Sequence, residues 1–210
     1  MKEIRNIIFD FGGVLFDIDY QRPVEAFRRL GITDFELQFS KMQQSNLMDD
    51  YETGRISDEA FRDRIRSLTS QPLTDESIDA AWNSILIGLP QEIVDFLHRV
   101  ANKYNVYLLS NTNSLHEKAF RKMLDQQYGP GMPEKLFNKT YLSHKIGMRK
   151  PNREVFDFLL HDAGIMREET LFIDDSPQHV EAARGAGIKA LWLERQGATE
   201  KLFILNGLIY

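Results

Sequence analysis

Five short apolar runs, at residues 6–11, 106–110, 140–143, 171–173 and 188–193, constrain the fold of this chain more than any other feature. Each is rich in Ile, Leu, Phe or Tyr, is nearly continuous rather than alternating, and is bounded by polar residues or glycine. Such runs suit strands buried on both faces, as in a parallel sheet covered by helices. The intervening segments supply the helices. Residues 92–103 set Ile93, Phe96, Leu97 and Val100 on one stripe, and 154–163 do so with Val155, Phe156, Leu159 and Leu160. A third stripe, Val180, Ala183 and Ala186, lies in 178–186. Strands alternating with helices of this length predict βαβ units in a doubly wound, Rossmann-like α/β sheet.

Residues 20–89 interrupt this alternation and contain no convincing strand. They read as helices at 24–30, 34–44, 58–68 (with Ser57 as cap) and 75–86. The expected organisation is an α/β core formed by residues 1–19 and 90–210, with residues 20–89 as a helical domain inserted after the first strand.

Composition removes several function classes. The 210 residues are 42% hydrophobic, enough for a core without covalent staples. With no cysteine there is no disulfide framework, thiolate zinc site or cysteine nucleophile. A net charge of −5 speaks against a broad binder of nucleic acid or membrane surfaces. The N-terminal apolar run is cut by Asp10, and no run approaches the roughly 20 residues of a membrane helix. The expectation is a cytoplasmic protein, monomer or homodimer, acting on a small molecule, with neither nucleic acid nor membrane as partner.

Ligands of open parallel sheets bind beyond the carboxyl ends of the strands, and here those ends are rich in chemistry. The first ends Asp10-Phe11-Gly12-Gly13-Val14, the second Ser110-Asn111-Thr112-Asn113, and the fourth Asp174-Asp175-Ser176-Pro177; Gly147-Met148-Arg149-Lys150-Pro151 follows the third. Carboxylates for a hard cation, neutral donors and one lysine together fit a metal-assisted phosphoryl site.

In order and spacing this set resembles the haloacid dehalogenase (HAD) superfamily, with residues 20–89 where members with a C1 cap insert it. It is most similar to the bacterial subgroup that contains α-D-glucose-1-phosphate phosphatase, which shares the Ser-Asn-Thr-Asn and Gly-Met-Arg-Lys-Pro stretches and the Val-x-x-Asp-x-Asp shape of residues 14–19. The resemblance implies a Mg2+-dependent phosphatase for a small phosphorylated metabolite, such as a hexose 1-phosphate, working through an aspartyl-phosphate. By the same resemblance Asp10 is the nucleophile and a metal ligand, and Gly12 lends the metal its carbonyl. Ser110 and Asn111 hold phosphoryl oxygens, and Lys150, with Pro151 starting a helix behind it, neutralises their charge. Asp175 coordinates the metal directly, Asp174 directly or through water. Ser176 and Pro177 read as N-cap and first helical residue, Arg149 and Lys145 as solvated or rim residues, and His116, His161 and His179 as surface or boundary residues.

One departure stands out. Family phosphatases carry a second aspartate where this chain has Gly12, and that carboxyl protonates the leaving oxygen and then activates water. Three readings follow: a leaving group that needs little protonation, as in a sugar 1-phosphate or acyl phosphate; a substitute acid, with Asp17 and Asp19 as candidates that serve equally well as turn or helix caps; or a weakly catalytic phosphate-binding domain. A metal-free 2-haloacid dehalogenase is a further alternative, disfavoured by the glycine and the Asp174–Asp175 pair. Residues 46–51 and Trp82 either face the site or form the core of the insertion.

Overall fold

The computed structural model describes residues 3–37, 39 and 47–209. The chain opens with β1 (Asn6–Phe9), then β2 (Asp17–Ile18) and a helical stretch of α1 (Gln21–Arg29), α2 (Leu47–Glu52), α3 (Asp58–Arg66) and α4 (Asp75–Asn83). β3 (Leu86–Gly88) leads back to α5 (Gln91–Ala101), β4 (Asn105–Ser110), α6 (Ser114–Tyr128), β5 (Lys139–Leu142) and α7 (Ser143–Ile146). α8 (Arg153–Ala163), β6 (Thr170–Asp174), α9 (Pro177–Gly185), β7 (Lys189–Trp192) and α10 (Thr199–Leu205) complete it.

Five strands form one sheet in the order β5-β4-β1-β6-β7. All of its pairings are parallel, and β1 lies between β4 and β6. Phe9 is in register with Leu108 and Ile173, so the three central strands reach the same edge together. Alternate residues feed two cores. Ile7, Phe9, Val106, Leu108, Leu171 and Ile173 pack under α5, α6 and α10, whereas Ile8, Tyr107, Leu109 and Phe172 pack under α8 and α9. This is the doubly wound α/β architecture that the apolar runs imply. Among the described residues no helix is long and apolar enough to cross a membrane.

The helical stretch has its own core, in which Phe27, Met48, Tyr51, Phe61, Ile78 and Trp82 pack together and Leu115 of α6 joins them. Ser57 caps α3 as expected, its Oγ accepting the Ala60 N–H at 3.1 Å. Three details differ from the sequence reading. β2 and β3 pair as a short antiparallel ribbon where the stretch leaves and rejoins the sheet. The helix expected at 75–86 stops at Asn83 to make room for that ribbon. α2, six residues with Met48 and Tyr51 buried, is too short to show a helical period. Residues 38 and 40–46, which hold much of the helix expected at 34–44 and Asn46, lie outside the described residues.

Candidate active site

Asp10 follows directly from β1, anchored by its N–H donating to the Ile173 carbonyl at 2.9 Å. Beyond it the chain turns at Gly13, which has φ +80° and whose added Cβ would collide with the Asp175 carboxylate. Only glycine satisfies both demands there. On the neighbouring strand ends lie Ser110, buried, and Asp174, fully buried. Lys150 comes from the segment after α7 and is also fully buried. Its Nζ stands 2.8 Å from Asp10 Oδ1 and 2.6 Å from Asp174 Oδ2. Asp174 Oδ1 accepts the Ser176 N–H at 2.8 Å and lies 3.0 Å from His179 Nδ1.

These charges are mutually dependent. Burial pushes the Asp10 carboxyl well above the ordinary carboxylate range; Lys150 pulls it down and Asp174 adds to the rise. Burial also opposes the Asp174 anion, but Lys150 and His179 outweigh it and hold that carboxyl low. Lys150 is raised overall, because its two carboxylates outweigh the cost of burying its charge. Asp10, Asp174 and Asp175 each offer a carboxylate oxygen, all within 4.8 Å of one another. One lysine cannot balance three such groups, so the set fits a hard divalent cation with oxygen ligands.

The edge opens into a cavity of about 540 Å³. Its floor is the charged set, and its far wall is largely apolar, with Phe35, Phe39, Met48 and Trp82 from the helical stretch. Trp82 stacks on the His116 ring at 4.9 Å and donates from Nε1 to Asn113 Oδ1 at 3.4 Å. Trp82 therefore lines the cavity and also belongs to the core of the stretch. Glu52, at the C-terminal end of α2, reaches the cavity from beside Met48, and the exposed Glu36 is a second acidic residue of this stretch on the lining.

Comparison with known proteins agrees with this geometry. The sequence pattern of the haloacid dehalogenase-like hydrolases matches residues 4–187. A D-ribitol-5-phosphate phosphatase of Bacteroides thetaiotaomicron is 33% identical over 186 residues, 89% of this chain and 90% of that protein. The chain belongs to the haloacid dehalogenase-like hydrolase family. A HAD family enzyme from the same organism, solved with magnesium and inorganic phosphate, superposes with a TM-score of 0.88 at 38% identity, covering 95% of this chain and 99% of that one. A HAD-like hydrolase from Porphyromonas gingivalis gives 0.86 at 30% identity with full coverage of both chains. This HAD protein is a phosphatase, a phosphoric monoester hydrolase.

The HAD fold brings Asp10, Gly12, Ser110, Asn111, Lys150 and Asp175 to the cavity, with Asp174 beneath Lys150. Several sequence expectations need correction. The Asn111 side chain is engaged with backbone rather than free: its Nδ2 donates to the Lys150 carbonyl at 2.8 Å and its Oδ1 accepts the Lys150 N–H at 2.9 Å. Asn111 thus clamps the lysine segment to β4. Ser176 sits at the N-cap, but its side chain makes no cap bond, and Asp174 accepts its N–H instead. The helix behind Lys150 begins at Arg153, not Pro151. Arg149 is no solvated residue: it pairs with Asp49 and, at 3.0 Å, with Glu52 of α2. His179 is a direct partner of Asp174, and His116 is tucked against Trp82, so neither is a simple surface residue. Asp17 accepts from Gln196 and Asp19 from the Gln21 N–H, and neither lines the cavity.

Proposed function

We propose that this phosphatase hydrolyses a small sugar or sugar-alcohol phosphate, a hexose 1-phosphate among the candidates, through an aspartyl-phosphate on Asp10. The observation that carries this reading is the convergence of three carboxylates and a buried lysine at the mouth of one cavity. A cavity of about 540 Å³ suits a phosphorylated metabolite rather than a polymer. The cofactor is Mg2+; Asp10, Asp175 and the Gly12 carbonyl would hold it, with Asp174 direct or through water, and it would offset the negative charge of the phosphoryl group. Asp10 needs no base to become a nucleophile once its charge is balanced, because the carboxylate is already the reactive form. Lys150 and the Ser110 hydroxyl stabilise the phosphoryl oxygens, with Asn111 holding Lys150 in place as well as offering donors. The division of labour follows the expected boundaries, residues 1–19 and 90–210 for phosphoryl transfer and 20–89 as the cap that selects the rest of the substrate. The working state is a cytoplasmic monomer or homodimer.

A panel of phosphorylated metabolites assayed with Mg2+ and with EDTA tests this reading. Glucose 1-phosphate, glucose 6-phosphate and ribitol 5-phosphate should release phosphate only with the metal present. Release that EDTA leaves untouched, or none from any sugar or sugar-alcohol phosphate, would exclude it.

A further inference from the structure

We propose that Glu52, reaching the cavity from the helical stretch, is the general acid that protonates the departing oxygen and the base that activates the attacking water. These are the two duties for which Gly12 provides no side chain, and the proposal rests on the phosphatase reading above.

The position of Glu52 is fixed from both sides. Within the stretch, Tyr51 stacks on Phe61 at 4.3 Å and donates to Asp58 at 2.9 Å. Thr53 Oγ1 donates to the Asp49 carbonyl at 2.6 Å, closing the end of α2. Across the gap, Gly54 has φ +71° and packs so tightly on the His144 carbonyl that any Cβ would collide with it. Arg149, next to Lys150 in sequence, reaches back to Asp49 and Glu52. The Glu52 side chain is only 20% exposed. Its Oε2 lies 3.0 Å from Arg149 Nη2 yet is buried with no hydrogen bond among the described residues. The Arg149 guanidinium favours the Glu52 carboxylate, whereas burial favours the protonated form, so the two forms are drawn closer in energy. Burial accordingly pushes this carboxyl up to about 7, against the pull of Lys150 and with Asp10 adding to the rise. An acid–base group works best when it titrates near the operating pH.

The other groups at the cavity are less suited, Glu36 because it lies exposed to solvent. Asp175 belongs to the cation-binding set, and His179 is committed to Asp174. His116 is pushed down to about 3 by burial, so it carries no proton to give at neutral pH, and burial with nearby carboxylates pushes Tyr20 up to about 12.

The steps balance. An Asp10 oxygen attacks phosphorus, the bond from phosphorus to the leaving oxygen breaks, and the Glu52 proton moves to that oxygen. Water then attacks the same phosphorus while the Glu52 carboxylate takes one of its protons. The Asp10–phosphorus bond breaks, phosphate leaves, and both side chains return to their starting forms.

Glu52→Gln keeps the shape and removes the transferable proton. In the full chain with Mg2+, its kcat on ribitol 5-phosphate or glucose 6-phosphate should fall by about 10²–10⁴-fold, the usual worth of such a group. With p-nitrophenyl phosphate, whose leaving group needs no acid, the variant should release a burst of about one nitrophenolate per site and then turn over slowly. Adding Gly12→Asp should recover part of the lost rate. That position has an ordinary φ, and a Cβ there meets only the Ile18 side chain, Cδ1 at 3.3 Å and Cγ2 at 3.5 Å, which is able to yield. On the unmodified enzyme, kcat should depend only shallowly on leaving-group acidity. Steep dependence in the wild type, or a Glu52→Gln variant that raises KM alone and shows no burst, would overturn the assignment and leave Glu52 a substrate-binding residue. Failure of the underlying reading looks different: the wild type itself would not release nitrophenolate in a Mg2+-dependent way.

Discussion

The sheet edge and the helical stretch face each other across one cavity, and they are built in opposite ways. At the edge, three parallel strands in register bring Asp10, Ser110 and Asp174 to a common line, and the buried Lys150 ties two of the carboxylates together. Opposite them stand apolar rings on helices, with Glu52 as the acidic group from α2 and a charged bridge to Arg149. The edge is over-determined by backbone hydrogen bonds and can hold a reactive geometry. The stretch meets it through side chains and a two-strand ribbon, so its apolar lining can change without disturbing the carboxylates and lysine of the edge. On the proposed reading, bond-making falls to the sheet, and substrate choice together with proton transfer to the insertion.

The largest effect is expected on the sheet side. Lys150→Ala removes the cation between Asp10 and Asp174, leaving buried like charges facing each other. The expected result is a loss of kcat on the order of 10²-fold or more on every substrate, poor and good leaving groups alike. A loss confined to sugar phosphates would move Lys150 from chemistry to selection.

Asp175→Ala should leave the maximal rate less affected but raise the Mg2+ concentration for half-maximal activity by about tenfold or more. The same titration carries a pH signature. Asp10 is raised above the ordinary carboxylate range, so in the metal-free protein it keeps its proton to higher pH than a free aspartate. Protons and Mg2+ then compete for it, and affinity should climb as pH rises through that elevated range, with proton release on binding. Affinity independent of pH between mildly acidic and neutral conditions would contradict this.

On the insertion side, Trp82→Ala removes a ring shared by the cavity wall and the local core. Stability should drop by about 3 kcal/mol or more, and KM for a sugar phosphate should rise more than kcat falls. A kcat loss on p-nitrophenyl phosphate as large as that of Lys150→Ala would erase the division between the two regions.

The smallest effect concerns a charged cluster remote from catalysis. Burial opposes the Glu117 anion, but His144, Lys145 and Arg121 outweigh it and hold the carboxyl at about 2, below its ordinary 4.5. A depressed carboxylate adds stability that is present above the ordinary value and lost as pH falls toward the folded one. The Tm advantage of wild type over Glu117→Gln should therefore be full at neutral pH and shrink from about 4.5 downward. An advantage that stays constant across that range would show that the cluster acts through packing alone.

How much of this was legible in the sequence follows the same division. The strands could be read because apolar runs end abruptly in polar residues, which also put Asp10, Ser110, Asp174 and Asp175 at the edge, while Lys150, beyond α7, could be read from the motif that follows the third run. The Asn111 clamp on Lys150 was not legible, since it depends on a contact between segments 39 residues apart. His179 carried a usable signal: Pro177 begins α9, so a residue two positions later in the first turn can point back at the strand end. Glu52 carried none. Its helix spans six residues, and its meaning comes from a partner, Arg149, far away in sequence. Neither periodicity nor motif spacing reports such a meeting across an insertion.

The central claim is that the phosphoryl group passes through Asp10. Wild-type protein mixed with p-nitrophenyl phosphate and Mg2+, quenched in acid within one turnover and digested, should carry one phosphoryl group on the peptide that contains Asp10. The adduct should be absent with EDTA and absent in Asp10→Asn, which should keep its fold and lose turnover. Mg2+-dependent turnover that persists in Asp10→Asn, or an adduct on any other peptide, would contradict the account.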